Sequence, residues 1–278
     1  MKVQGVEPTA SEIEALEAVN AAASNAAMRA PFLYTSQRWD SNKGFEALIV
    51  ERIGSGKLIH LPTTKAEVQK FFDLYANYST RLNPIPWVEK PTEPLSDRVR
   101  RNVANHIKAS HENYPDHPLR HPDDPALIAT ALDVVTEHYK GAELLFQHCH
   151  ISTDDVFLPN GSDPRYIYTS NFVWAWKPKF YDALVAYHHF PRLLIDRAED
   201  VTEEMVAMQT NWWREQIEAL AGNDEERTQL HTVMLELAIN RLTIDDLTLK
   251  PDNPLAPYLI EMTRRDIQGL MNELDRNS

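Results

Sequence analysis

Apolar positions along the chain change their spacing several times, and the changes mark out its elements. After Ser11, a plausible helix cap, Ile13, Leu16 and Val19 repeat at helical spacing through an alanine-rich body that predicts a helix to about Met28. Residues 32–39 and 45–53 then read as two strands. Between them Asp40-Ser41-Asn42-Lys43-Gly44 has the chemistry of a hairpin turn. Helical spacing returns with Val68, Phe71, Phe72, Tyr75, Tyr78 and Leu82, behind a capping-box start at residues 62–67. This aromatic stripe is read as core. A proline-rich connector follows over residues 83–94. Ser96 is then placed as the cap of a basic helix whose apolar stripe is Val99, Val103 and Ile107.

Residues 110–124 carry His111, His117 and His121, but Pro115, Pro118 and Pro122 keep them off any rigid element, so a solvated loop is expected rather than a metal site. Asp124-Pro125 opens a helix that runs through Lys140 and stops at Gly141. The next stretch breaks the helical pattern. His148-Cys149-His150-Ile151-Ser152-Thr153-Asp154-Asp155 is a polar loop. A short strand from Val156 to Leu158, a Pro-Asn-Gly turn at residues 159–161 and a second strand over 166–172 complete a hairpin that presents side chains to a cleft. Helices at about 202–221, 224–241 and 254–274 close the chain. Within this region Trp212-Trp213 is expected mainly in the core, and of His188-His189 one residue is expected buried and one exposed.

At 278 residues the chain has room for one large domain or for a small lobe plus a larger one, and 43% hydrophobic with 25% charged residues describes an ordinary globular protein. A formal net charge of -13 without any basic run excludes a nucleic-acid surface. The single cysteine, Cys149, rules out an intrachain disulfide. With no apolar run of membrane-spanning length and no signal region, the expectation is a cytoplasmic protein with no membrane partner. The sequence holds only 8 Gly and no glycine-rich phosphate loop; Gly54-Ser55-Gly56-Lys57 lacks the spacing of a P-loop and reads as a turn.

The run from His148 to Leu158, followed by the strand from Tyr166 to Phe172 and by Trp174, Trp176, Pro178 and Asp182, resembles the catalytic and metal-binding segment of the aminoglycoside phosphotransferase and choline kinase-like family, a branch of the protein-kinase-like superfamily. The resemblance implies an α+β, protein-kinase-like fold with a truncated small β-containing lobe (residues 1–56) and a large, mainly helical lobe (residues 57–278) that carries the catalytic-type hairpin at 148–172. It places His150 at the catalytic aspartate, Asp155 at the metal-binding asparagine and Ser170 or Asn171 at the metal-chelating aspartate. His148 and Asp182 fall on positions that brace the loop. Lys2 matches the lysine of the small-lobe strand. Glu12 matches the glutamate that pairs with it, with Glu14 as the near rival, and the chain then begins at the third strand of that lobe. Glu51, Arg52 and Ile53 fall where the family backbone meets adenine.

Phosphoryl transfer needs a carboxylate to orient the nucleophile and metal ions to neutralise charge between the phosphates. His150 can accept a proton near neutral pH but cannot supply that negative charge. Asp155 remains a competent oxygen ligand, whereas Ser170 and Asn171 are both neutral. With the glycine-rich loop also missing, the favoured reading is a degenerate, pseudokinase-type protein that binds or scaffolds, with a small molecule or a protein as partner. Two other readings stay open. One is an active ATP-dependent phosphotransferase acting on a small-molecule hydroxyl with ATP and magnesium, His150 as base and Asp155 as metal ligand. The other is a metal site on His148 and His150 with Asp154 or Asp155.

Overall fold

The structure is a computed structural model. It describes residues 1–5, 11–22, 28–52, 62, 64–81, 86–149, 156–157, 167–169, 174–197 and 199–276. Helices make up most of it and the strands form small, mostly antiparallel sheets, so the chain is an α+β protein. It divides into two compact units, one formed by Met1–Lys90 with Phe146–Ala175 and the other by Pro91–Leu145 with Trp176–Ser278. This partition groups the 148–172 segment with the N-terminal elements, whereas the sequence reading assigns it to the helical lobe.

In the first unit, β1 (Lys2–Gln4), β3 (Leu33–Asp40) and β4 (Phe45–Val50) form a sheet with β4 in the middle. Both pairings are antiparallel. The turn between β3 and β4 closes for local reasons. Asp40 accepts hydrogen bonds from the backbone N–H groups of Asn42 (2.9 Å) and Lys43 (3.3 Å), and Gly44 has a φ of 70°, a left-handed conformation that suits glycine. The helix α1 (Glu12–Ala22) buries Ile13, Leu16 and Val19, and Leu48 of β4 is buried as well. The expected extension of this helix to Met28 is corrected: Met28–Arg29 forms a strand, β2, parallel to β7 (Ile167–Thr169). Met28 and Arg29 pair with Ile167 and Tyr168, far along the chain.

Further along, α2 (Lys65–Arg81) opens on a reciprocal capping box. The Thr64 hydroxyl accepts from Glu67 N–H (3.3 Å) and the Glu67 carboxylate from Thr64 N–H (3.1 Å). Val68, Phe71 and Phe72 are its buried face. Two more strands, β5 (Leu144–His148) and β8 (Trp174–Pro178), pair as a two-stranded sheet.

The second unit is helical: α3 (Leu95–Asn113), α4 (Asp124–His138), α5 (Tyr181–Arg197), α6 (Glu203–Glu218), α7 (Asp224–Asn240) and α8 (Ala256–Arg276). Ser96 does not cap α3. The helix begins at Leu95 behind Pro94, with no side-chain cap, and Leu95 is itself buried. The caps at α6 and α7 are side chains: Thr202 accepts from Met205 N–H (3.3 Å) and Asn223 from Glu226 N–H (2.9 Å). A continuous run of buried residues from Leu230 to Asn240 makes α7 the central helix, since a helix apolar on one side only would leave part of that run exposed. Trp213 is fully buried, its ring 5.0 Å from that of Phe190. His117 is buried, contrary to a fully solvated loop at 110–124; burial and then the charge of Arg120 hold its imidazole below the usual histidine range. Among the described residues no helix is long and apolar enough to cross a membrane.

Candidate functional site

The site is built from β1 and α1. Residues opposite each other in an antiparallel pair share a face of the sheet. Lys2 lies opposite Leu48 and Gln4 opposite Glu46. Leu48 and Glu46 are both buried, and the Ser11 hydroxyl at the start of α1 donates to Glu46 (3.1 Å), so this face is the one that meets the helix. Alternation along β1 therefore points Lys2 toward α1 and Val3 away from it, and Val3 is exposed. Lys2 Nζ reaches Glu12 Oε1 at 2.6 Å. The rival, Glu14, is taken by another partner: Arg38 of β3 spans Glu14 (2.8 Å) and Glu17 (2.6 Å), one turn apart on α1. The Arg38 clamp was not anticipated from the sequence, although two glutamates three residues apart on a helix, followed by an arginine on the next hairpin, are a readable signal for it.

The Lys2 side chain is 57% exposed and that of Glu12 30%, so the bridge contributes at most about 1 kcal/mol to stability. The bridge directs the Lys2 ammonium group to the helix-facing side of the sheet.

Glu51 directly follows β4. Its N–H donates to Phe32 O (2.7 Å) and its carboxylate accepts from Phe32 N–H (3.1 Å), so both groups close the hairpin. Arg52 is exposed, and Ile53 lies outside the described residues.

In the same unit, β6 (Val156–Phe157) pairs antiparallel with β7, with Val156 opposite Thr169 and Phe157 opposite Tyr168. These strands are the two arms of the expected hairpin. His150, Asp154, Asp155, Ser170 and Asn171 lie outside the described residues, so the proposed base and metal ligands have no described geometry. His148 is described. It ends β5, is 1% exposed, and its ring lies 5.5 Å from that of Trp174 on β8. Trp174 in turn packs on Phe146 (5.7 Å) and Trp87 (5.7 Å), and Trp87 meets Phe146 edge-on at 4.8 Å. His148 is thus a buried imidazole in an aromatic cluster; among the described residues no group of three His, Cys, Asp or Glu side chains is placed to hold a metal ion, and His150, Asp154 and Asp155 lie outside those residues. Trp87 was read as part of an irregular connector; nothing in the local pattern shows that it meets β5 and β8. Asp182, in the second unit, sits in the first turn of α5 and accepts from Ala183 N–H (2.8 Å).

Comparison of the chain with family models, with curated proteins and with solved structures returns no match.

Proposed function

We propose that the chain is a degenerate relative of the kinase-like phosphotransferases, a binding or scaffolding protein that keeps the lysine anchor for nucleotide phosphates and performs little or no phosphoryl transfer. The observation that carries this reading is the 2.6 Å bridge between Lys2 on β1 and Glu12 on α1. In protein kinases a strand lysine and a helix glutamate pair in this way, and the pair must be in place for the nucleotide to be held productively. Strand β1, helix α1 and the β3–β4 hairpin follow one another around this bridge, with the two-residue β2 between helix and hairpin, and the resemblance implies a strand, a helix and a hairpin in that order.

The loss of transfer follows from the sequence: His150, Asp155 and Ser170 or Asn171 stand where the family has an aspartate, an asparagine and an aspartate. A magnesium ion, when bound, supplies charge neutralisation between the phosphates; of this chain's residues Asp155 is the strongest candidate to hold it.

The test combines ATP binding at equilibrium with a phosphoryl-transfer assay against a panel of small amines and alcohols. Binding without transfer is expected. Turnover that His150→Ala abolishes would replace this reading with an active phosphotransferase, and failure to bind ATP at millimolar concentration would remove the nucleotide from it altogether.

A further inference from the structure

The second unit holds a cavity of about 490 Å³ between the C-terminal end of α4 and the first turns of α7. Pockets that take a ligand run to roughly 300–1,000 Å³, so the space is that of a docking site and far exceeds what one water or ion fills. On α7 its wall is Glu225, Thr228, Gln229 and Thr232. Their spacing of three and four residues puts them on one stripe of the helix, and that stripe is polar throughout. The facing wall runs from His138, the last residue of α4, to Glu143 and to Leu145 on β5.

The polar groups of the lining are unevenly satisfied. Lys140 is bridged to Glu137 and Lys179 to Glu226, two carboxylates outside the lining. The Tyr139 hydroxyl donates to buried Glu236 of α7 (2.7 Å), and the Thr232 hydroxyl donates to Thr228 O (2.8 Å). The carboxylates of Glu143 and Glu225, by contrast, have no ion-pair or hydrogen-bond partner among the described residues. The C-terminal end of α4 adds its own partial negative charge to the same wall. The cavity therefore has its lysines neutralised and two acceptors to spare, so it favours an occupant that is positive and donates hydrogen bonds. Ala142, Leu145 and the Tyr139 ring supply carbon surface beside those acceptors. The combination suits an apolar stem that ends in a cation.

The cavity is open to solvent, with Glu143 and Glu225 both exposed and Leu145 39% exposed on the lip. An apolar residue exposed beside unpaired carboxylates gives a rim on which the neighbours of an inserted side chain can rest. We propose that this cavity docks an arginine side chain of a protein partner, with the guanidinium paired to Glu143 and Glu225 and the stem lying against Ala142, Leu145 and the Tyr139 ring. Arginine fits better than lysine because its planar head offers five donors, enough for two carboxylates at once, and stacks on aromatic faces. The formal net charge of -13 speeds the approach of a basic partner. The site lies within the helical unit and does not depend on the Lys2–Glu12 bridge.

The test is a titration of the ¹⁵N-labelled full chain with the peptide acetyl-Ala-Ala-Arg-Ala-Ala-amide. At millimolar peptide the backbone amides of Gly141, Thr228 and Thr232 should shift. The same peptide with citrulline, the neutral isostere of arginine, should bind at least about tenfold more weakly. Glu143→Gln combined with Glu225→Gln should weaken the arginine peptide by about the same factor, and the fold should survive because both residues are exposed. No shift at these amides overturns the proposal, as does equal binding of the citrulline peptide or binding that the double substitution leaves unchanged. Free arginine binding as tightly as the peptide would overturn the protein partner in favour of a small-molecule site.

Discussion

The two units each contain a conspicuous ion pair, and the pairs work in opposite ways. Lys2–Glu12 sits on the surface of a small sheet, at an ideal distance, with both side chains in contact with water. Arg241 sits in the middle of a helical core, at longer distances from two carboxylates, with Thr263 completing the shell of Asp246 through a 2.6 Å hydrogen bond. Water already solvates the first pair, so making or breaking it changes folding stability little. The second pair has lost its solvation, and each member depends on the others to compensate the burial. Short distance is therefore a guide to position, and burial is the guide to energy. The exposed pair can therefore be changed without loss of the fold.

The largest effect should come from breaking the buried network. Arg241→Met leaves Asp246 and Asp266 without their cation in the interior and is expected to cost about 3–5 kcal/mol, read from the urea midpoint of the intact chain. A loss below about 1 kcal/mol would mean that the carboxylates are protonated or solvated and that the network is not what holds α7, the π-helical turn Arg241–Asp245 that follows it and α8 together. Trp213→Ala, which removes a fully buried ring from contact with Phe190, belongs to the same range, about 3–5 kcal/mol, and separates cavity formation from loss of charge compensation.

A smaller, pH-dependent effect is expected at Glu218, whose carboxylate takes His231 Nε2 at 2.9 Å. Burial pushes this carboxyl up, but the hydrogen bond from His231 and the charges of His231, Arg214 and Arg227 leave it below the ordinary value of 4.5. A carboxyl depressed in the folded state stabilises the fold at pH above its unfolded value, and that contribution is lost as pH falls from 4.5 through the folded value. Glu218→Gln should therefore lower stability near neutral pH and flatten the acid limb of the stability profile. An unchanged acid limb would show that other carboxylates govern acid unfolding. The smallest stability change is expected for Lys2→Ala, under about 1 kcal/mol in the same urea experiment.

The contrast between the units also separates what could be read in the sequence from what could not. The β3–β4 hairpin was legible because Asp40 and Gly44 set the turn within five residues. The starts of α2 and α6 were legible because Thr64, Glu67 and Thr202 act on their own backbone neighbours. Ser96 misled because the buried Leu95 behind Pro94 draws the helix start two residues further back, with Pro94 in the cap position. β2 is two residues long and exists through its pairing with β7, so no local pattern announces it. The π turn at Arg241–Asp245 likewise coincides with contacts to residues on α5 and α8 that sequence spacing does not reveal. In the candidate site the family resemblance paired Lys2 with Glu12, while the choice of Glu12 over Glu14 rests on Arg38, which engages Glu14 and Glu17 from β3.

The most direct test of the proposed function is thermal unfolding of the intact chain in an ATP titration, with and without magnesium, beside Lys2→Ala under the same conditions. A ligand that binds only the folded state at about 100 times its Kd stabilises by about 2.7 kcal/mol, enough to raise the Tm by several degrees. The account predicts such a rise for the unsubstituted chain and its loss in Lys2→Ala, whose own Tm stays close to the original. No rise at millimolar ATP, or an equal rise in Lys2→Ala, would contradict the assignment of the Lys2–Glu12 bridge as a nucleotide anchor.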